Sequence, residues 1–118
     1  MIHSIVLVDD DNDILTLLAE ALRGEGFQPR AFTDPTLALE SLLREPPALL
    51  VTDLLMPGMS GEQLVAHVRE RLGTELPIVV MSASVTLSSA AASGIQAYFS
   101  KPFELDDLID TVARLTGL

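Results

Sequence analysis

Four short pieces of this chain carry its chemistry: Val8-Asp9-Asp10-Asp11, Asp53-Leu54-Leu55-Met56-Pro57, Met81-Ser82-Ala83 and Lys101-Pro102-Phe103. Three of them follow an apolar run of β type, and the last follows the short run Ala97-Tyr98-Phe99. Helical patterns separate the runs. Strands that alternate with helices build a parallel sheet, and the carboxyl ends of parallel strands share one edge. The sequence therefore predicts a sheet edge with the carboxylates of Asp9, Asp10 and Asp53, the Ser82 hydroxyl and the Lys101 ammonium. Oxygen ligands suit a hard metal ion, and a carboxylate can accept a phosphoryl group.

The runs between these pieces give the architecture. Residues 5–8 are continuously apolar with β-branched members, as a strand buried on both faces requires. Ile14, Leu17, Leu18, Ala21 and Leu22 then fall on one helical face, closed by Gly24 and Gly26. Residues 29–32 predict a second strand, at the sheet edge because Pro29 has no amide donor. Leu37, Leu39, Leu42 and Leu43 predict a second helix, stopped by Pro46-Pro47. Residues 49–52 form the third strand, which delivers Asp53. After the turn Pro57-Gly58-Met59-Ser60-Gly61, Leu64, Val65, Val68 and Leu72 predict a third helix, ended by Gly73. Residues 78–81 form the fourth strand. Residues 86–93 are helix-like but rich in Ala and Ser and without charge, which predicts the least stable element. Residues 97–99 form the fifth strand, and Leu105, Leu108, Ile109, Val112 and Leu115 a last amphipathic helix.

Five strand–helix units with right-handed crossovers leave few topologies. The flavodoxin-like strand order 2-1-3-4-5 fits best, because it puts the two least apolar strands at the edges. The expected class is α/β: one (βα)5 domain over residues 1–118, with helices on both faces of a five-stranded parallel sheet. A chain of 118 residues supports one core, and 48% hydrophobic residues exclude disorder.

Composition narrows the function. Seventeen acids against seven bases give a net charge of −10, which opposes direct nucleic acid binding. No apolar run approaches the ~20 residues of a membrane helix, and the N-terminus has no signal-peptide pattern, so no membrane partner is expected. The absence of cysteine excludes disulfides and thiolate metal sites and fits a cytoplasmic location.

In the 2-1-3-4-5 order the first and third strands are neighbours, about 4.8 Å apart. Asp9, Asp10 and Asp53 are then crowded, and like charges this close raise one another's pKa unless a cation intervenes. Mg²⁺ suits such a site, since it takes one or two carboxylates and keeps several waters. An acidic first turn complementing a helix dipole explains one of these aspartates but not three. Asp53 is the expected nucleophile. Lys101 would give a point charge to one phosphoryl oxygen, and Ser82 a hydrogen bond to another. His3 and His67 lack the context of a phosphorylated histidine and are read as structural or surface residues.

Taken together, the four pieces and their order resemble the receiver domain of two-component response regulators, over essentially the whole chain. The resemblance implies that Asp10, Asp53 and the main-chain carbonyl of Leu55 bind Mg²⁺, and that Asp9 acts through metal-bound water. It makes Asp53 the phosphoacceptor and Lys101 the essential lysine, with a cis peptide to Pro102 that aims the lysine inward. It also implies that Tyr98 turns inward when the phosphoryl group draws in Ser82. That motion would reshape the face made by residues 86–93, the fifth strand and the last helix. The implied partners are a sensor histidine kinase or histidine phosphotransfer protein, and a downstream output domain or protein. Leu55 and Ser84 stand two residues beyond Asp53 and Ser82, positions that tune dephosphorylation in the family. Gln96-Ala97-Tyr98 lacks the acid that usually precedes the switch aromatic in winged-helix regulators, so dimerisation of their kind is not expected.

Two other functions compete with a phosphoacceptor switch that slowly dephosphorylates itself. An aspartate-nucleophile phosphatase of the haloacid dehalogenase type needs Asp-x-Asp after its first strand, and Asp53-Leu54-Leu55 lacks the second Asp. A degenerate receiver that binds partners without phosphorylation would have lost a member of the set, and none is missing.

Overall fold

The computed structural model describes residues 3–83 and 94–117. Five strands form one parallel sheet: β1 (Ser4–Val8), β2 (Gln28–Phe32), β3 (Leu49–Asp53), β4 (Ile78–Ser82) and β5 (Ala97–Ser100). Their order is β2-β1-β3-β4-β5. Four helices are described: α1 (Asn12–Gly24), α2 (Pro35–Arg44), α3 (Gly61–Leu72) and α4 (Leu105–Thr116). The expected helix-like stretch 86–93 lies outside the described residues.

Two-residue periodicity of the strands divides the core into two layers. Ile5, Leu7, Leu49, Val51, Val79 and Met81 point to one face and pack with Leu15, Leu18 and Leu22 of α1 and Leu108 and Val112 of α4. Val6, Val8, Leu50, Ile78 and Val80 point to the other and pack with Ala38 and Leu42 of α2 and Leu64, Val65 and Val68 of α3. The three inner strands are apolar on both faces because both faces are covered. The outer strands β2 and β5 are only partly buried. Strand bounds run one residue beyond the sequence expectation at one end or the other, and Pro29 sits on an edge strand as expected.

Two helices bury a different stripe from the expected one. In α1 the buried residues are Leu15, Leu18, Ala19 and Leu22, while Leu17 is 53% exposed. In α2 they are Pro35, Ala38, Ser41 and Leu42, while Leu37 is 52% exposed. Both helices have more apolar residues than one stripe can hold, so periodicity alone cannot choose between stripes one position apart.

The helix starts are fixed locally. The Asp11 side chain caps α1, accepting from the N–H groups of Asp13 at 3.0 Å and Ile14 at 3.4 Å. Asp34 caps α2 through the N–H of Thr36 at 2.9 Å. Ser60 and Gln63 form a reciprocal capping box on α3, with bonds of 2.9 and 3.1 Å. Gly73, at φ 76°, ends α3 in a conformation that L side chains rarely adopt. These caps hold the helices whose N-terminal ends flank the site.

Candidate functional site: a carboxylate–lysine cluster at the sheet edge

The register β1–β3–β4 brings the carboxyl ends of three strands level: Val8 pairs with Thr52, and Asp53 pairs with Met81. The chain leaves the sheet at this point, so Asp9, Asp53 and Ser82 occupy neighbouring places on one edge. Ser82 is level with Ser100 on β5, and Lys101 follows. The N–H of Lys101 donates to the carbonyl of Ser82 at 2.8 Å, carrying the ladder one step past the strands.

Asp9 has no exposed surface and Asp53 has 5%. Burying carboxylates is costly unless they are paired. The pairing comes from Lys101: its Nζ lies 2.6 Å from Oδ2 of Asp9 and 3.5 Å from Oδ2 of Asp53. Backbone donors satisfy the other oxygens. The N–H of Asp11 donates to Oδ1 of Asp9 at 2.9 Å, and the N–H of Leu55 to Oδ1 of Asp53 at 3.4 Å. Asp10 is exposed at the rim. Asp9, Asp10 and Asp53 each offer one oxygen, and these oxygens lie within 4.8 Å of one another.

The electrostatics follow from this crowding. Burial, and then the charge of Asp9, push the Asp53 carboxyl above its ordinary value of 3.8. Lys101 and the N–H groups of Leu55 and Leu54 pull the other way, with smaller effect. For Lys101, burial alone would lower the pKa. Its hydrogen bond to Asp9 and the charges of Asp53 and Asp9 outweigh it, so the Lys101 pKa is raised above 10.5. One ammonium thus offsets only part of the charge of three carboxylates. The net charge left over, the all-oxygen donors and their mutual spacing fit Mg²⁺.

The remaining expected residues have clear places. Ser82 is fully buried at the end of β4. Tyr98, on β5, pairs with Val80 of β4 and packs, partly buried, against the α2–α3 layer. The Lys101–Pro102 peptide is cis. Leu55 is 59% exposed in the turn after β3. Ser84 lies outside the described residues. Two residues touching Asp53 were not singled out from the sequence: Thr52, whose hydroxyl donates to the Asp53 carbonyl at 2.9 Å, and Gly61 at the first turn of α3. The Thr in an otherwise apolar β3 was the available signal for one, and the glycine at a helix start for the other.

Comparison with known proteins gives the family. Residues 5–113 match the response regulator receiver domain family. The chain belongs to that family, whose members are signalling switches rather than enzymes with a separate substrate. It is 34% identical over 111 residues to the DNA-binding transcriptional regulator NtrC of Escherichia coli (strain K12), covering 92% of this chain and 24% of that protein. The chain therefore spans about a quarter of that relative's length. A candidate response regulator from Chloroflexus aurantiacus J-10-fl superposes with a TM-score of 0.89 at 31% identity, over 100% of both chains. The response regulator TrrA of Thermotoga maritima, in complex with Mg(2+)-BeF, superposes with a TM-score of 0.87 at 27% identity, over 96% of this chain and 98% of that one. Among the described residues no helix is long and apolar enough to cross a membrane.

Proposed function

We propose that residues 1–118 form one receiver domain in which Asp53 takes a phosphoryl group from a phosphohistidine on a sensor histidine kinase or histidine phosphotransfer protein. One observation carries this reading: a single lysine bridges two buried aspartates, 2.6 Å from Asp9 and 3.5 Å from Asp53, beside the exposed Asp10. In the transfer, an oxygen of Asp53 forms a bond to phosphorus as the bond to the donor imidazole nitrogen breaks. The nitrogen keeps the electron pair. Phosphoryl transfer depends on positioning and charge neutralisation. Asp53 supplies the nucleophile. Lys101 is already within reach of the Asp53 carboxylate and would follow the charge onto a phosphoryl oxygen. Ser82, one residue past the partner of Asp53 in β4, would donate its hydroxyl to another.

Asp10, Asp53 and the Leu55 carbonyl would hold Mg²⁺, with Asp9 acting through a bound water. When bound, the metal supplies positive charge to the phosphoryl oxygens. The Mg(2+)-BeF complex of TrrA supports this reading. Tyr98 lies two residues below Ser82 across the β4–β5 ladder, near enough along the sheet to follow a shift of Ser82. That movement would alter the face made by β5 and α4, where a downstream output domain or protein reads it. The acidic charge argues that this domain does not itself bind nucleic acid. We place its action in the cytoplasm.

The test is incubation with a small phosphodonor, with and without Mg²⁺, followed by intact mass. A gain of one phosphoryl group that requires Mg²⁺ is expected. A chain that takes none would be a degenerate receiver, acting only through protein contacts.

The aspartyl phosphate is expected to be long-lived. Hydrolysis needs a water in line behind phosphorus. Leu55 offers only an apolar side chain beside that approach, and its N–H is turned to Asp53. Leu55→Asn adds a group that can orient the water, and one such hydrogen bond is worth about a factor of ten in rate. Decay of the phosphorylated mass after donor removal should be that much faster in Leu55→Asn. Equal or slower decay would show that Leu55 does not shield the site.

A further inference from the structure

The backbone of Asp53 is gripped from two sides, and neither grip belongs to the carboxylate–lysine cluster. On one side stands Thr52, fully buried, with its hydroxyl donating to the Asp53 carbonyl at 2.9 Å. On the other stands the first turn of α3. The N–H of Gly61 donates to the carbonyl of Leu54 at 2.9 Å. A Cβ on Gly61 would overlap the Asp53 carbonyl oxygen outright, and would lie 2.6 Å from Leu54 Cα and 2.8 Å from the Asp53 carbonyl carbon. Gly61 has no positive φ, so backbone conformation does not call for glycine here. Alanine is the better helix former by about 1 kcal/mol. What the position requires is the absence of a side chain, so that the helix end can press on the peptide of Asp53.

The start of α3 is itself fixed by the Ser60–Gln63 capping box, so the helix end is a firm support. The carboxylate leans on its own backbone turn: the N–H of Leu55 donates to Oδ1 at a long 3.4 Å. Its place therefore follows the height of the Asp53–Leu54 peptide. The 3.5 Å separation from Lys101 has little slack. Misplacement by about 1 Å costs up to about a hundredfold in rate when reacting groups must be aligned.

We propose that Gly61 and Thr52 are positioning residues for the phosphoacceptor, setting the height of the Asp53 peptide so that its carboxylate meets Lys101 and Asp10. The inference rests on Asp53 as phosphoacceptor. Gly61 acts by steric permission, Thr52 by a hydrogen bond, and neither touches the phosphoryl group.

The experiment compares the full chain with Gly61→Ala and Thr52→Val. The donor is phosphoramidate in Mg²⁺. Its phosphorus–nitrogen bond breaks, the phosphorus–oxygen bond to Asp53 forms, and nitrogen leaves as ammonia with the electron pair. The maximal labelling rate should fall about tenfold or more in Gly61→Ala and less in Thr52→Val. The half-saturating donor concentration should stay within about twofold, because no donor contact is removed. In metal-free buffer the amide resonances of Leu54 and Leu55 should move in both variants. A variant that melts at lower temperature yet labels at the wild-type maximal rate overturns the proposal. If Gly61→Ala does not fold, Thr52→Val decides by the same two readouts. If the wild type takes no label, the phosphoacceptor reading falls by itself. The resonances then judge the positioning alone, and unmoved Leu54 and Leu55 amides overturn it.

Discussion

Asp53→Asn is expected to stabilise the metal-free chain at neutral pH while removing its capacity to take a phosphoryl group. The two effects have one cause. Burial and the neighbouring Asp9 disfavour the charged form of Asp53 in the folded chain, so it keeps its proton above the ordinary 3.8. Between 3.8 and the raised folded value, the folded state binds more protons than the unfolded state. Stability therefore falls as pH rises through that window, and the cost is fully present above it. Asparagine has a similar shape and no charge to desolvate. The stability difference between variant and wild type should grow from near zero below pH 3.8 to a plateau above the folded value. Melting in a chelator across that range measures it. Each 1 kcal/mol gained moves the midpoint of a chain this size by roughly 4 °C. A variant less stable than wild type at pH 7 would show that Lys101 fully compensates Asp53.

Lys101 behaves in the opposite sense. Its folded value lies above 10.5, so the stability it contributes is fully present below 10.5 and is lost as pH rises through the folded value. The two titrations lie at opposite ends of the pH scale and can be read separately.

The second large effect is stabilisation by Mg²⁺. A cation among Asp9, Asp10 and Asp53 offsets the repulsion that one lysine leaves behind. A ligand that binds only the folded state adds about 2.7 kcal/mol at a hundred times its dissociation constant. Thermal melts with Mg²⁺ and with a chelator give the shift directly. Asp10 is exposed and is not paired with Lys101, so Asp10→Asn should fold as wild type does in the chelator. It should nevertheless lose most of the Mg²⁺ shift. A full shift in Asp10→Asn would place the metal elsewhere.

The sheet was legible in the sequence because its inner strands, buried on both faces, read as unbroken apolar runs such as Ile5-Val6-Leu7-Val8. Its order was legible because weak strands go to edges, and Pro29 marks one. The rotation of α1 and α2 was not. Ile14, Leu15, Leu17, Leu18, Ala19, Ala21 and Leu22 populate overlapping stripes, and packing against the sheet chose the one with Leu15 and Ala19 while leaving Leu17 outside.

The site was legible at the level of topology. Each of Asp9, Asp53, Ser82 and Lys101 ends or follows a strand, so the fold had to gather them. The distances were not, since they depend on register: only the pairing of Val8 with Thr52 and of Asp53 with Met81 sets Asp9 and Asp53 level. The residue pattern by itself did not divide the labour among Asp9, Asp10 and Asp11; only the family resemblance set Asp9 apart from Asp10. One is buried against Lys101, one is exposed beside the others, and one caps α1. Composition and spacing alone show three equal acids. Thr52 and Gly61 were missed because their contacts are with backbone atoms, which no side-chain pattern records.

The most direct test locates the phosphoryl group. The chain is treated with a small phosphodonor and Mg²⁺, reduced with borohydride and digested. Borohydride converts an aspartyl phosphate to homoserine, so the peptide mass reports which residue was modified. Homoserine at position 53 alone, absent when Mg²⁺ is withheld and absent in Asp53→Asn, is the expected result. Homoserine at Asp9 or Asp10, or a label that survives in Asp53→Asn, would contradict Asp53 as the phosphoacceptor.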